Sequence, residues 1–172
     1  VFTRNWNFRG EEWALVVNGT GSVALNDVRL QGGEASIAGD TVSLNSTSGS
    51  EKLVLNGSHG VTGTDVSSSQ IVANSANAGV FLNSTSTNSL SGSSRKSFVA
   101  SVQALDGTSG VTVGNVSANG SSSKVIIQAI TDQLVLDGYI SGAALEFYST
   151  GAIDEETGAM LLSAYPFWDV WQ

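Results

Sequence analysis

Short apolar runs recur along the chain at roughly 8 to 12 residue spacing, among them WALVV, SVAL, TVSL, KLVL, QIVA, GVFL, GVTVGNV, QLVL and ALEFY, with Gly, Asn, Asp and Ser between them. Alternation of this kind places every second side chain on one face of a strand, whereas Gly and Ser interrupt every window long enough for a helix. The pattern predicts an all-β domain, read first as an antiparallel β-sandwich, jelly-roll-like or Ig-like, with "SFVASVQAL" and "KVIIQAIT" as its central strands. The hydroxyl-rich stretches 84–97 and 119–124 hold too little apolar surface to offset ordering and read as solvated loops.

One unit is rewritten several times: LVVNGTGS at 15, VSLNSTSG at 42, LVLNGSHG at 53, VFLNSTST at 80 and LVLDGYIS at 134. Two intervals of 27 and one of twice 27 suggest a β-solenoid as the alternative architecture. The step of 11 between 42 and 53 breaks that period and reads instead as a hairpin, TVSLN and KLVLN joined by "STSGSE".

Composition narrows the classes. The 172 residues suit one domain, with residues 1–14 set apart as an amphipathic N-terminal strand and 15–172 as a single β-domain. The chain has no cysteine, hence no disulfide or thiolate metal site. A net charge of -8 with only seven scattered Lys and Arg offers no clustered cations for phosphates, so no nucleic-acid partner is expected. No apolar run is long enough for a membrane span. The chain begins with Val1 and shows no basic, then apolar leader, so an extracellular or cell-surface chain with its signal peptide removed is expected.

Six positions fit the Asn-x-Ser/Thr acceptor pattern: Asn18, Asn45, Asn56, Asn83, Asn115 and Asn119. Four of them directly follow an apolar-x-apolar unit, where an exposed turn would present the Asn to a glycan. The competing reading is structural, since Asn-Gly and Asn-Ser are turn dipeptides that tolerate positive φ. Catalytic chemistry has little to stand on. His59 is the single histidine, inside a Gly-flanked turn, and reads as an exposed side chain. No nucleophile, P-loop or zinc motif occurs, and no enzyme and no cofactor are expected. Paired carboxylates could still serve a glycosidase, and Asp154, Glu155 and Glu156 form an exposed turn with an open question of Ca²⁺.

Aromatic residues crowd the two ends. Phe2, Trp6, Phe8 and Trp13 lie at one, and Tyr165, Phe167, Trp168 and Trp171 at the other. These eight are candidates for a subunit interface, the N-terminal strand adding to a neighbour's sheet and the C-terminal segment helping to form the acceptor groove. With its all-β body, absent Cys, hydroxyl-rich loops and "NGT", "NST" and "NGS" sites, the chain resembles secreted archaeal surface-filament subunits of the thread and bundling-pilus type. That resemblance implies a glycosylated structural subunit that polymerises head-to-tail with itself by donor-strand exchange. The alternatives are a carbohydrate-binding or adhesin β-domain, contacting cell-surface or matrix polysaccharide, and a glycosidase.

Overall fold

A computed structural model describes residues 2–3, 7–8, 15–30, 33–49, 51–107, 109–131, 133–163 and 169–171; for 2–3, 7–8 and 169–171 it describes the backbone alone. The first strands are β1 (Phe2–Thr3), β2 (Asn7–Phe8), β3 (Leu15–Asn18), β4 (Val23–Asn26), β5 (Arg29–Leu30) and β6 (Glu34–Gly39). A regular middle follows, with β7 (Val42–Gly49), β8 (Lys52–Gly57), β9 (Val61–Ser67), β10 (Gln70–Ser75), β11 (Val80–Ser86), β12 (Ser89–Ser94) and β13 (Phe98–Gln103). The later part holds β14 (Val111–Ala118), β15 (Lys124–Ile130), β16 (Gln133–Leu136) and β17 (Tyr139–Gly142). It continues through β18 (Ala144–Ser149), β19 (Ala152–Glu155), β20 (Met160–Ser163) and β21 (Asp169–Trp171).

These strands form two sheets, and every pairing is parallel. Sheet A runs β1-β4-β7-β9-β11-β13-β15-β18-β21, with β2 beside β5 and β5 beside β7. Sheet B runs β19-β16-β14-β12-β10-β8-β6-β3, with β17 between β14 and β20. Through the middle the chain visits sheet B, then sheet A, then sheet B again, one coil further on. The result is a parallel β-solenoid of about 8 turns. The antiparallel sandwich expected from the sequence is therefore wrong, and the stated alternative describes the architecture. The proposed hairpin is also corrected: β7 and β8 are joined by residues 50–51 but lie in opposite sheets, each pairing with coils before and after.

The coil length is 19 residues rather than 27. Val42 pairs with Val61 and Val61 with Val80, and the hydrogen bond from Thr41 to Ser22 also spans 19 positions. The recurring LVLN units had mixed the two walls. Those at 15, 53 and 134 belong to sheet B, and those at 42 and 80 to sheet A. A step of 27 does occur once, where Phe98 pairs with Val125 across the longer connections 104–110 and 119–123.

Inward side chains from both sheets make one core. Leu53, Leu55, Ile71 and Leu90 from sheet B meet Val61, Val80, Phe98 and Ile127 from sheet A, all fully buried. Each such side chain contributes about 1.5–3 kcal/mol by leaving water. Residues 84–97 are not a loop. They complete β11 and form β12, because Leu90 enters the core while Thr85, Thr87 and Ser94 are buried at its corners.

The corner of sheet A is made by a stacked bulge. Asp27, Ser46, Asp65 and Ser84 adopt left-handed backbone with φ of 54, 47, 54 and 50°. The ladder pairs Asn45 with Thr64 and then Thr47 with Val66, passing over Ser46 and Asp65. Skipping one residue reverses the alternation, so the next side chain points inward. Val28, Thr47, Val66 and Thr85 are consequently buried. Asp and Ser suit the position because a short polar side chain tolerates left-handed backbone, and Ser46 Oγ donates to Asp65 Oδ2 at 3.3 Å.

Candidate functional site: two uncharged grooves on the outer walls

Outward side chains on parallel strands stack in rows along the solenoid axis. On sheet A one row reads Thr62, Phe81, Val99, Ile126, and the next reads Thr64 and Asn83, continuing as Ser101 and Gln128. These residues line a groove of about 440 Å³ with no charged group in it. Phe81 is 50% exposed. Its ring rests against Gly79, where a Cβ would fall 2.6 Å from ring carbon Cε2, so the glycine makes room for that ring. Further along, Ile126 is followed by Glu146, whose Oε1 accepts from Lys124 Nζ at 2.8 Å. That hydrogen bond, with the carboxylate's charge, raises the Lys124 pKa above its ordinary value.

Sheet B presents a different wall. Asn74 Nδ2 donates to Asn56 Oδ1 at 3.0 Å, and Ser93 Oγ donates to Asn74 Oδ1 at 3.0 Å. This ladder divides the face. Toward the N-terminal coils lies a groove of about 620 Å³ that includes Asn18, Asn56 and Asp40. Toward the C-terminal coils lies one of about 650 Å³ that includes Ser91, Asn115, Asn119 and Tyr139.

The six acceptor asparagines sort by this geometry. Asn45 and Asn83 stand on sheet A, exposed, each directly before a bulge residue, with Thr47 and Thr85 of the same tripeptides buried inside. Asn56 is half-buried in the ladder. Asn115 is exposed and its Oδ1 accepts from the Tyr139 backbone N–H at 2.8 Å. Asn18 and Asn119 are exposed where β3 and β14 end. Placement at strand ends, expected for four of the sites, therefore holds for Asn18 and Asn56 but not for Asn45 and Asn83, which lie within β7 and β11.

His59 is exposed, and its Nδ1 lies 2.5 Å from Asp40 Oδ1 one coil away. The adjacent Ser58 hydroxyl donates to the Gly39 carbonyl at 3.4 Å rather than to the imidazole. Asp154, Glu155 and Glu156 are all exposed, and Asp154 and Glu155 occupy successive, opposite-facing positions of β19. Asp154 accepts from Gln133 Nε2. Among the described residues no three His, Cys, Asp or Glu side chains converge as a metal site. No helix of the described chain is long and apolar enough to cross a membrane.

Of the eight terminal aromatic candidates, Trp6, Trp13, Tyr165, Phe167 and Trp168 lie outside the described residues. Phe2 and Phe8 belong to β1 and β2, which pair with β4 and β5 of their own chain, and Trp171 to β21, which pairs with β18. Among the described residues, Phe81 and Tyr139, to which the sequence analysis assigned no role, are exposed on the open walls.

The fold and its walls define a class, an all-parallel β-solenoid with groove-bearing outer sheets. No family model, curated protein or solved structure matches this chain.

Proposed function

We propose that this β-solenoid is a carbohydrate-binding or adhesin domain that holds an uncharged, extended glycan against the outer wall of sheet A. The observation that carries the reading is Phe81, half exposed in the uncharged groove, continued by Val99 and Ile126 and flanked by Thr64, Asn83, Ser101 and Gln128. An aromatic face offers apolar contact to the C–H face of a sugar ring, while amides and hydroxyls on the adjoining row supply donors and acceptors for its hydroxyls. The absence of charge in the groove, on a chain of net charge -8, favours neutral over acidic polysaccharides. An extracellular setting accords with such a ligand.

Calorimetry of the purified chain against a panel of neutral and uronate-containing oligosaccharides tests this. Phe81→Ala is expected to weaken binding of a neutral ligand about tenfold, with circular dichroism unchanged. Binding indifferent to Phe81→Ala, or confined to uronates, would overturn it.

A structural subunit of a surface filament is the second reading, favoured by the ends of sheet B. Among the described residues β3 pairs only with β6, and β19 and β20 each pair with one neighbour, so both ends present strand edges. Because β1 and β2 pair within their own chain, assembly on this reading proceeds by end-to-end stacking of coils. Long fibres in negative-stain images that persist after deletion of residues 1–8 would support it; a single species of about 17.7 kDa in solution would dismiss it.

A further inference from the structure

We infer that the outer wall of sheet B carries a second site for a neutral polysaccharide, so that one domain bridges two polysaccharide chains. The inference rests on the glycan-binding reading of sheet A and extends it to the opposite wall.

The C-terminal groove of sheet B encloses about 650 Å³ and is lined entirely by uncharged residues. Tyr139 supplies its aromatic face. The side chain is 43% exposed, while Ile140, next in the strand, is fully buried and directs Tyr139 outward. Its backbone is tied to the neighbouring coil by the bond to Asn115. Ser91, Ser93, Ser117 and Ser141 provide hydroxyls along the groove.

The floor is kept clear by Gly92 and Gly114, which leave neighbouring strands without side chains there. At Gly92 that gap is enforced, because φ is 152° and a Cβ would lie 1.9 Å from the Ala73 carbonyl oxygen. An acidic polysaccharide would find no cation in the lining to offset repulsion from a chain of net charge -8, so the chemistry selects a neutral one.

Sheets A and B enclose the core between them, so their outer grooves face away from each other. A single polysaccharide chain lying along one wall leaves the other free. Two sites on opposite walls convert binding into cross-linking of long polymers.

The experiment uses the whole chain produced in a host without N-glycosylation, since Asn115 and Asn119 line this groove. The probe is a neutral oligosaccharide identified by the calorimetric panel, with its parent polymer for turbidity. Wild type is expected to bind two oligosaccharides and to cloud the polymer. Tyr139→Ala and Phe81→Ala should each keep one site at wild-type affinity, weaken the other about tenfold and lose the clouding, and the double variant should be about tenfold weaker at both. Ser91→Trp, which fills the groove while keeping Tyr139, should repeat the Tyr139→Ala result.

One oligosaccharide per chain, weakened in Phe81→Ala and unchanged in Tyr139→Ala and Ser91→Trp, would overturn the second site and leave the sheet A reading standing. One oligosaccharide weakened in Tyr139→Ala and indifferent to Phe81→Ala would overturn both the bridging and the sheet A assignment. Absence of binding to any neutral ligand would overturn both proposals.

Discussion

Asn74 on the wall of sheet B donates from its amide nitrogen to Asn56 and accepts at its amide oxygen from the Ser93 hydroxyl, whereas Asn83 on the wall of sheet A stands exposed beside Phe81 and before a bulge. The same coil thus treats the same residue type in two ways. Sheet B repeats an amide or hydroxyl at equivalent places in successive coils, and their mutual bonds hold the coils in register. Sheet A takes its register from the stacked bulge at Asp27, Ser46, Asp65 and Ser84, and its outward row is free to display apolar side chains. Polar stacking on one wall and backbone geometry on the other divide the task of alignment.

Four tests sharpen that contrast. The largest effect is expected at Gly92 of sheet B. Gly92→Ala sets a Cβ against the Ala73 carbonyl and strains a backbone that favours glycine, and should cost about 3 kcal/mol in a urea titration. A midpoint within error of wild type would show that the wall of sheet B yields where the geometry says it is tight.

Next comes the bulge of sheet A. Ser84→Val forces a β-branched residue into left-handed backbone and should destabilise by about 2 kcal/mol, whereas Ser84→Gly should stay within about 0.5 kcal/mol of wild type. Equal effects of the two would mean that side-chain contacts, not φ, set the cost. The paired asparagines separate the walls directly: Asn74→Ala should cost about 1 kcal/mol and Asn83→Ala less than about 0.5 kcal/mol in the same assay. The reverse order would remove the ladder's claim to alignment.

The smallest effect concerns Lys124 and Glu146 at the end of the sheet A row. Lys124 has a raised folded-state pKa, so its contribution is present below its ordinary value of 10.5 and fades as pH rises through the higher folded value. Wild type should therefore lose more stability than Glu146→Gln as pH climbs above about 10.5, and added salt should shrink the difference. Parallel stability curves for the two across that range would place the pair outside the balance.

Strand content was open to a reader of the sequence, including "SFVASVQAL" and "KVIIQAIT" as central strands, but that these two become β13 and β15 and pair along their length was not. The coil length is also written there, outside the LVLN units. LNDV at 25–28, LNST at 44–47, GTDV at 63–66 and LNST at 82–85 recur every 19 residues, and each marks an outward polar residue, a left-handed residue and an inward one. Two of those tetrapeptides contain acceptor tripeptides, and the glycosylation pattern drew attention away from their backbone meaning. The grooves were less legible. Phe81 and Tyr139 differ from buried aromatic residues only by the parity of their positions, and parity depends on where the bulges fall.

Alternation of apolar and polar residues, with glycine and asparagine between, was enough to specify strands and an all-β core, because a side-chain period of two needs no partner to be read. Strand direction was not contained in that pattern, since inward residues alternate identically in parallel and antiparallel sheets. Two residues between β7 and β8 are compatible with a hairpin or with a coil corner. Only the tertiary structure decided between them, through core contacts that each wall makes with the other and through ladders joining residues 19 apart. Those pairings lie far apart in sequence, and they alone bring Phe81, Asn83 and Gln128 onto one wall and Tyr139 onto the other.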